Sequence, residues 1–464
     1  MSAIPGNIFR EYDIRGVADR DLTDALARDL GRALGVALRT GSAPPRLAVG
    51  RDCRLSSPRL YEALTKGLTE AGVHVVDIGI GPTPMLYFAV HHLGTDGGIM
   101  ITGSHNAGDE NGFKMMRGKA SFYGADIQKL RAAIVGGDLA TPGGGKIESF
   151  EVQDAYVTAM TERFKFAGEK FPFVVDAGNG AGGPLALRTM HALGLNPTPL
   201  FCEMDGHFPN HHPDPTMPKN LEALVAKVKA TKSRVGLAYD GDADRLGAVD
   251  ESGNIIWGDK LMILFSRALL AEKPGATILG EVKCSQTLYD DIAKHGGKPV
   301  VWKTGHSLIK TKMKETGALL AGEMSGHLFF ADRYFGFDDA IYASLRLLEI
   351  LEKDERSLSE MLADVPKTFT TPELRVDCPD AMKFDVVTAV TKHYKDKGNP
   401  VLDIDGARIT FPSKGSAPTW GLVRASNTGP VLVMRFEAGS QAELETIKKD
   451  VEGVVAGERA KLAG

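Results

Sequence analysis

Short apolar runs and longer helical patterns alternate along the first three quarters of the chain. The runs are rich in β-branched residues, and the helical stretches carry apolar residues every three or four positions. This alternation is typical of α/β layers, and near-continuous apolar strands are typical of sheets covered on both faces. The predicted strands are 46–52, 73–79, 97–103, 171–180, 234–242, 276–282, 298–305 and 318–326, and the predicted helices include 56–72, 155–166, 220–230 and 338–353.

The last hundred residues follow a different pattern. One helical stretch at 381–396 precedes several strand-like runs, and a final helix is predicted from Gln441 onwards, which together indicate an α+β module. Non-periodic stretches rich in Gly, Pro or Thr separate the pieces of the chain. We therefore predict three similar mixed α/β domains and a C-terminal α+β domain, at 1–147, 148–253, 254–367 and 368–464.

Composition excludes several classes of protein. A chain of 464 residues with a net charge of −4 needs more than one core, and it lacks the polycationic surface of a nucleic-acid-binding protein. No apolar run approaches the roughly 18 residues that cross a bilayer, and the N-terminus does not read as an export signal. The cysteines are too far apart for a zinc site or a disulfide framework. We expect a cytoplasmic protein without nucleic-acid or membrane partners.

The segment 98–115 is the strongest candidate for a reactive site. An apolar strand opens directly into small and polar residues around Ser104. The carboxyl end of a central strand is where α/β proteins bind their ligands. Gly103 allows close backbone approach to a ligand, and Asn106 and Lys114 supply hydrogen-bond donors. The alternative is an ordinary polar loop between a strand and a helix.

Three aspartates, Asp240, Asp242 and Asp244, alternate directly after a predicted strand. An extended loop would place all three on one side. Neighbouring carboxylates repel by about 4 kcal/mol per pair at about 4 Å with an effective dielectric near 20, so the cluster needs a cation or raised pKa values. Oxygen ligands favour Mg²⁺ or Ca²⁺, and Arg245 stands where an EF-hand requires glycine. Mg²⁺ sharing a phosphate oxygen fits best; a solvated acidic turn is the alternative.

The motif GEMSGH at 322–327 also follows a predicted strand. Glu323 and Ser325 suit the hydroxyls of a polyol such as a sugar, and His327 can donate to an oxyanion or carry a proton. A helix-capping role for Ser325 is the alternative.

The motif RASNTGP at 424–430 lies between two predicted strands. Arg424 offers a bidentate fork, and Ser426, Asn427 and Thr428 add neutral donors, which is the composition of a phosphate cradle. A hairpin turn of the Asn-Thr-Gly type is the alternative.

Five motifs follow one another along the chain: YDIRG at 12–16, TGSHNAGDENGFK at 102–114, DGDADR at 240–245, GEMSGH at 322–327 and RASNTGP at 424–430. In this order and spacing they resemble the motifs of the α-D-phosphohexomutase family, most closely its phosphomannomutase/phosphoglucomutase branch. The resemblance covers essentially the whole chain. It implies three similar α/β domains plus a C-terminal TATA-binding-protein-like domain around a central cleft.

The resemblance implies a role for each matching residue. Ser104 matches the serine that carries the phosphoryl group, and the metal ligands it implies are Asp240, Asp242, Asp244 and the phosphorylated Ser104. Glu323 and Ser325 match residues that hold sugar hydroxyls. The loop that grips the non-transferred phosphate matches Arg424, Ser426, Asn427 and Thr428. Further matching cleft residues are Tyr12, Arg15, Asn106, Lys114, Arg245, Lys283, His306 and His327, of which Arg15, Lys114, Arg245 and His327 are predicted, with Ser104, to be catalytic.

The implied activity is reversible phosphoryl transfer between the 1- and 6-positions of mannose or glucose phosphates. It proceeds through phosphoserine and a hexose 1,6-bisphosphate, with Mg²⁺ as cofactor, the bisphosphate as activator and a monomeric enzyme. Phosphoglucosamine mutase is one alternative, against which Met324 and the SNT at 426–428 argue. A metal-dependent sugar phosphatase and a non-enzymatic sugar-phosphate-binding regulator are the others.

Two positions depart from the family pattern. Ala107 replaces a common Pro, and Ala243 replaces a common Gly, which would be strained at a positive φ. Lys114 is the usual candidate for proton transfer, and as a base it would need a pKa lowered by cationic neighbours.

Overall fold

The computed structural model describes residues 5–39, 41, 43–137, 139, 141–167, 171–413, 415, 417–427 and 429–463. The strands are β1 (Ile14–Val17), β2 (Arg46–Arg51), β3 (His74–Ile80), β4 (Gly97–Ile101), β5 (Glu110–Arg117), β6 (Ala120–Ser121), β7 (Lys146–Ser149), β8 (Phe173–Asp176), β9 (Thr198–Leu200), β10 (Val235–Tyr239), β11 (Leu246–Asp250), β12 (Ile255–Ile256), β13 (Thr277–Glu281), β14 (Lys298–Trp302), β15 (Leu320–Gly322), β16 (Leu328–Phe330), β17 (Phe369–Thr370), β18 (Leu374–Asp377), β19 (Val401–Leu402), β20 (Ala407–Thr410), β21 (Trp420–Ala425) and β22 (Val431–Ala438). The α-helices are α1 (Asp24–Ala37), α2 (Ser57–Glu70), α3 (Thr83–Leu93), α4 (Ala125–Gly136), α5 (Val152–Arg163), α6 (Gly183–Ala192), α7 (Glu222–Thr231), α8 (Gly258–Glu272), α9 (Gln286–Lys294), α10 (His306–Thr316), α11 (Ala340–Lys353), α12 (Leu358–Met361), α13 (Lys383–Asp396) and α14 (Gln441–Ala463).

Every strand and helix predicted from periodicity is present, with its ends moved by a few residues. Among the strands that the pattern overlooked is β5, which overlaps the second half of the segment 98–115 and carries Lys114. The residues of Met1–Leu261 and Ser325–Glu360 form one compact unit, and those of Met262–Met324 and Met361–Gly464 form a second. Within the described part of the chain, every helix is too short or too polar to span a lipid bilayer.

The first sheet of the first unit has the order β1-β5-β4-β2-β3-β7, with β6 beside β5. Strands β4, β2, β3 and β7 are parallel, and β5 runs antiparallel between β1 and β4. Leu47 and Val49 of β2 join the core that α1, α2 and α4 cover. Leu86 and Val90 of α3 approach Gly98 on the opposite face. The sheet is therefore covered on both faces, as predicted.

Helices α1 and α2 pack backbone to backbone at two glycines. A Cβ at Gly67 would lie 1.9 Å from the carbonyl oxygen of Arg28, and one at Gly31 would lie 2.3 Å from that of Leu64. Any larger residue at either position would push the two helices apart.

The second sheet of the first unit has the order β12-β11-β10-β8-β9. Strands β10, β8 and β9 are parallel, and β11 returns antiparallel to β10. Helix α7 covers one face, where Leu224 and Val228 join the core with Val174 and Val249. The loop between β10 and β11 carries the three aspartates, so the strand register fixes the position of that loop.

The second unit contains a parallel group and an antiparallel sheet. Strand β13 pairs in parallel with β14 and β15. The antiparallel sheet has the order β17-β22-β21-β20-β19, with β18 also paired to β22. Helices α13 and α14 cover one of its faces. From the other face Trp420 and Leu422 pack against Val282, which forms a second apolar cluster in this unit.

Candidate active site

Ser104 follows β4 in a strained conformation. Its φ is +50°, and its side chain is buried. This left-handed region costs a non-glycine residue about 1–2 kcal/mol, and such strain is concentrated at functional sites. The hydroxyl donates to Asp240 Oδ2 at 2.9 Å and lies 3.0 Å from His105 Nδ1. Burial, reinforced by the charge of Arg245, lowers the pKa of His105 well below its usual value, so this imidazole is neutral.

The three aspartates meet in one fully buried cluster, with ligand oxygens within 4.8 Å of one another. Asp240 Oδ1 accepts hydrogen bonds from the amides of Asp244 and Arg245, both at 3.1 Å. Burial, followed by the charges of Asp244 and Asp242, raises the pKa of Asp240 well above its usual value. The burial rules out a solvated acidic turn.

The cluster has donor atoms suited to a hard cation. The buried oxygens Asp242 Oδ1 and Asp244 Oδ1 accept no hydrogen bond from any residue that the structure describes. Buried carboxylate oxygens are stable when paired with a cation, and an all-oxygen set matches the preference of Mg²⁺. The residues present therefore fit a divalent metal.

Lys114 reaches this cluster from β5. Its Nζ lies 2.7 Å from Asp242 Oδ2 and also contacts Asp244 Oδ2. Burial lowers the pKa of Lys114, but the two carboxylates outweigh it, and the net pKa is raised above the usual value. The expectation that cationic neighbours depress this pKa is wrong, because anionic neighbours are closer. Lys114 keeps its proton in this setting.

His327 is held between an arginine and a carboxylate. Arg245 Nε donates to His327 Nε2 at 3.0 Å, and Asp338 Oδ2 lies 2.9 Å from His327 Nδ1. Nε2 is the acceptor in the contact with Arg245, and Nδ1 lies beside the carboxylates of Asp338 and, at 3.6 Å, Asp244. Asp338 carries no signal in the sequence; it precedes helix α11 and is separated from His327 by β16.

Arg15 contacts the loop of Ser104 from β1. Its Nη1 donates to Asn106 Oδ1 at 3.0 Å, and its Nε donates to Asp13 at 2.6 Å. Asn106 in turn donates to Glu110 at 2.6 Å. Arg15, Asn106, Lys114, Arg245 and His327 are thus brought to the Ser104 and aspartate loops. Tyr12 is half-buried two residues before β1.

In the second unit, Lys283 and Glu323 lie on loops that follow β13 and β15. Lys283 Nζ is 3.1 Å from Glu373 Oε2 and 3.8 Å from Glu281 Oε1. Burial lowers the pKa of Lys283, but these carboxylates outweigh it and raise the net pKa. Glu323 accepts a hydrogen bond from the Gly305 amide at 3.0 Å, beside the start of α10 at His306. Lys283, His306 and Glu323 therefore follow neighbouring strands; Ser325 belongs to the first unit, where it is half-buried.

The candidate phosphate loop connects β21 and β22. These strands pair antiparallel from Ala425 and Leu432, so they form a hairpin; the turn expected at Asn427, Thr428 and Gly429 includes a residue outside the described part of the chain. Arg424 Nε donates to Asp405 Oδ2 at 3.1 Å, and Asp405 also accepts from the Thr304 amide at 2.9 Å.

The buried side chain of Lys383 binds the backbone of the same loop. Lys383 Nζ donates to the carbonyls of Ser426 at 2.6 Å and Gly429 at 3.2 Å. Ser426 is buried and Asn427 is half-buried, whereas Thr428 lies outside the described residues. Neither Asp405 nor Lys383 had a signal in the sequence, because each acts through a partner distant along the chain.

Ala243 has a φ of +53° and is fully buried, so the strain expected at this departure is present. A Cβ at Gly182 would lie 2.4 Å from the Ala243 Cβ, which leaves no room for a larger side chain. We expect Ala243→Val to lower the free energy of unfolding by about 3 kcal/mol, from overpacking and a β-branched residue at positive φ. Ala243→Gly should change it by less than about 1 kcal/mol, because relief of strain offsets chain entropy.

Urea denaturation of the two Ala243 variants and the parent measures both effects. A valine variant as stable as the parent would contradict this prediction, because it would show that the loop can accommodate a larger side chain beside Gly182.

Four family models cover most of the chain. They describe α/β/α domains I, II and III and the C-terminal domain of phosphoglucomutase/phosphomannomutase, and they match residues 6–138, 154–253, 257–369 and 373–454. The chain belongs to the phosphoglucomutase/phosphomannomutase family. The predicted fold class, three α/β domains followed by a separate C-terminal domain, is thereby confirmed, as is the family resemblance of the five motifs.

Individual relatives agree with this assignment. The phosphomannomutase/phosphoglucomutase of Pseudomonas putida is 48% identical over 96% of this chain and 95% of that protein. The phosphoglucomutase of Neisseria gonorrhoeae is 44% identical over 98% of each chain. The crystal structure of a phosphoglucomutase/phosphomannomutase family protein from Burkholderia thailandensis superimposes with a TM-score of 0.90, at 44% identity and 98% coverage of both chains.

Proposed function

We propose that this chain is a phosphohexomutase, an isomerase that moves a phosphoryl group between the 1- and 6-positions of mannose or glucose phosphates. The observation that carries the proposal is the buried, strained Ser104 hydroxyl hydrogen-bonded to an aspartate of the acidic cluster. A second loop with anion-binding chemistry, at Arg424, distinguishes a mutase from a phosphatase, because a mutase must also hold the phosphate that is not transferred. The names of the relatives support the same activity.

The first step transfers the phosphoryl group from phospho-Ser104 to the free hydroxyl of the sugar phosphate. The bond between phosphorus and Ser104 Oγ breaks, a bond to the sugar oxygen forms, and the sugar hydroxyl loses its proton. The resulting 1,6-bisphosphate then returns its other phosphoryl group to Ser104. Such in-line transfer depends mainly on positioning and on neutralising the charge of the phosphoryl oxygens.

Asp240, Asp242 and Asp244 would hold Mg²⁺ together with an oxygen of phospho-Ser104. When bound, the cation neutralises charge on the transferred group and on the three carboxylates. Arg245 and Arg15 add positive charge that acts on the aspartates of this cluster.

The proton has two candidate carriers. Lys114 Nζ lies 2.7 Å from Asp242 Oδ2 and also contacts Asp244, so its ammonium group is placed to donate a proton to a leaving oxygen at the acidic cluster. The lone pair of His327 Nε2 is bound to Arg245 Nε, so this nitrogen becomes a base once the sugar hydroxyl replaces that donor. We therefore assign proton abstraction to His327, positioned by Asp338, and proton donation to Lys114.

Substrate binding is assigned mainly to the second unit. Arg424, Ser426, Asn427 and Thr428 would bind the non-transferred phosphate, with Tyr12, Asn106, Lys283 and His306 as further contacts. Glu323 and Ser325 would bind sugar hydroxyls. We further propose a hexose 1,6-bisphosphate activator, domain boundaries near 147, 253 and 367, and a cytoplasmic monomer without nucleic-acid or membrane partners.

A coupled assay tests the function. Mannose 1-phosphate and glucose 1-phosphate, each with Mg²⁺ and a trace of the hexose 1,6-bisphosphate, should be converted to 6-phosphates, and glucosamine 1-phosphate should react much more slowly. Preference for glucosamine 1-phosphate would make the chain a phosphoglucosamine mutase. Release of inorganic phosphate without isomerisation would make it a sugar phosphatase.

Arg424→Ala should mainly weaken substrate binding. Losing a charge-assisted hydrogen bond costs about 1.5–3 kcal/mol, which corresponds to a KM about 10- to 150-fold higher, with a smaller change in kcat. Lys392→Ala, at an exposed lysine of α13, is the matched control and should leave both constants unchanged. An unaltered KM for Arg424→Ala would contradict the proposal that this loop binds the non-transferred phosphate.

A further inference from the structure

Arg54 is an almost fully buried arginine whose guanidinium group is surrounded by backbone carbonyls of the Ser104 loop. It lies between β2 and α2, and its side chain is inaccessible to solvent. Nη2 donates to the carbonyls of Ser104 at 2.8 Å and Asn106 at 2.7 Å. Nη1 donates to the carbonyl of Glu110 at 2.8 Å and also to that of Ala107. One guanidinium thus ties together four peptide groups between residues 104 and 110.

Asp52 fixes this guanidinium from the other side. Its Oδ2 lies 3.2 Å from Arg54 Nε and accepts a hydrogen bond from the Gly103 amide at 3.2 Å. Its Oδ1 accepts from the Ser57 hydroxyl at 2.6 Å. A buried ion pair is costly to desolvate, and apolar residues of similar size are often at least as stabilising. The hydrogen bonds of this pair go to the backbone of the Ser104 loop, from the Gly103 amide to the Glu110 carbonyl.

Three features connect Arg54 to the conformation of Ser104. The left-handed φ of Ser104 is strained, so it persists only where surrounding contacts hold the backbone in place. Arg54 supplies one such contact, because it donates to the carbonyl oxygen of Ser104 itself. A Cβ at Gly103 would lie 2.5 Å from Arg54 Cζ, so the guanidinium packs directly on the loop backbone. Ala107 lacks the fixed φ of a proline, and its carbonyl is another that Arg54 binds.

We propose that Arg54, held by Asp52, is the positioning residue of the phosphoryl carrier: it keeps the Ser104 loop in the conformation that aims Oγ at the acidic cluster. Arg54 acts through backbone carbonyls, whereas Asp240 binds the hydroxyl itself. This inference rests on the proposed function of Ser104 as the phosphoryl carrier.

The test uses the full-length variants Arg54→Lys and Arg54→Ala. Lysine keeps the charge, but its single ammonium group cannot bridge four carbonyls. We expect both variants to lower kcat about 100-fold, the usual effect of misplacing a reacting group by about 1 Å, and to change KM less than about threefold. Intact-protein mass spectrometry measures the rate at which the hexose 1,6-bisphosphate phosphorylates Ser104. This rate should fall in parallel with kcat.

Chemical rescue separates positioning from folding. Guanidinium ion at non-denaturing concentration should restore part of the kcat of Arg54→Ala, whereas sodium chloride at equal ionic strength should not. Arg39→Ala is the matched control, because Arg39 also donates to a backbone carbonyl, that of Ala71 at 2.8 Å, in the same α/β sheet domain. Its kcat should remain that of the parent.

Two results would overturn the proposal. One is an Arg54→Lys enzyme with the kcat and Ser104 phosphorylation rate of the parent. The other is a loss of activity that follows only the loss of folded protein and is not rescued by guanidinium. The parent enzyme in the same assays reports separately on the function: a parent that fails to isomerise hexose phosphates contradicts the mutase assignment, and equal phosphorylation of parent and Arg54→Lys contradicts only the positioning role.

Discussion

Replacing Ser104 by alanine should reduce turnover by a factor on the order of 10⁴ or more. Removing the nucleophile of a covalent mechanism has an effect of this size or larger, because no other group receives the transferred fragment. The variant should still bind hexose phosphates, since Arg424 and the other binding residues are unchanged. The coupled assay measures turnover, and isothermal titration calorimetry measures binding of a hexose 1-phosphate.

The matched control for this change is Ser149→Ala, at an exposed serine of β7 in the same sheet. That variant should keep the parent turnover. Intact-protein mass after incubation with the hexose 1,6-bisphosphate should show one phosphoryl group on the parent and on Ser149→Ala, and none on Ser104→Ala. If the turnover of Ser104→Ala were within tenfold of that of the parent, another residue would have to carry the phosphoryl group.

The sequence contained enough information for the elements and for the local clusters. Alternation of the three aspartates after a buried strand predicts a convergent set of oxygens, and the structure places them within 4.8 Å. This succeeds because the residues are neighbours in one loop, where backbone geometry alone brings them together. The chemistry assigned to them, and to the other site residues, is still a proposal.

Partners distant along the chain could not be predicted in the same way. Lys114 meets Asp242 across 128 positions, and no periodicity encodes that contact. The sign of its pKa shift depends on which charges are nearest, so the expectation from cationic neighbours was wrong. Arg54 was overlooked for the same reason, because the Ser104 and Glu110 carbonyls that it binds lie 50 and 56 positions away. Asp338 was overlooked because nothing in a single sequence marks its approach to His327 across β16.

Removing the metal should also stop phosphoryl transfer. Three buried carboxylates within 4.8 Å repel one another, and two of their oxygens lack a hydrogen bond within the described residues. Dialysis against EDTA should lower kcat by a factor on the order of 10³, because the charge on the transferred group is no longer neutralised. Adding Mg²⁺ back should restore the rate, and full rate in EDTA would disprove the metal assignment.

Stability gives an independent readout of the same site. Mg²⁺ that binds only the folded protein should raise the free energy of unfolding by about 2.7 kcal/mol at a hundred times its Kd, and Tm should rise accordingly. Asp242→Asn removes one carboxylate charge from the cluster, so its Tm should respond much less to Mg²⁺. Asp154→Asn, at an exposed aspartate of α5, should respond like the parent. If Mg²⁺ raised the Tm of Asp242→Asn and of the parent equally, the cation would be bound elsewhere. The raised pKa of Asp240 would then mean that its carboxyl group binds a proton instead of a metal.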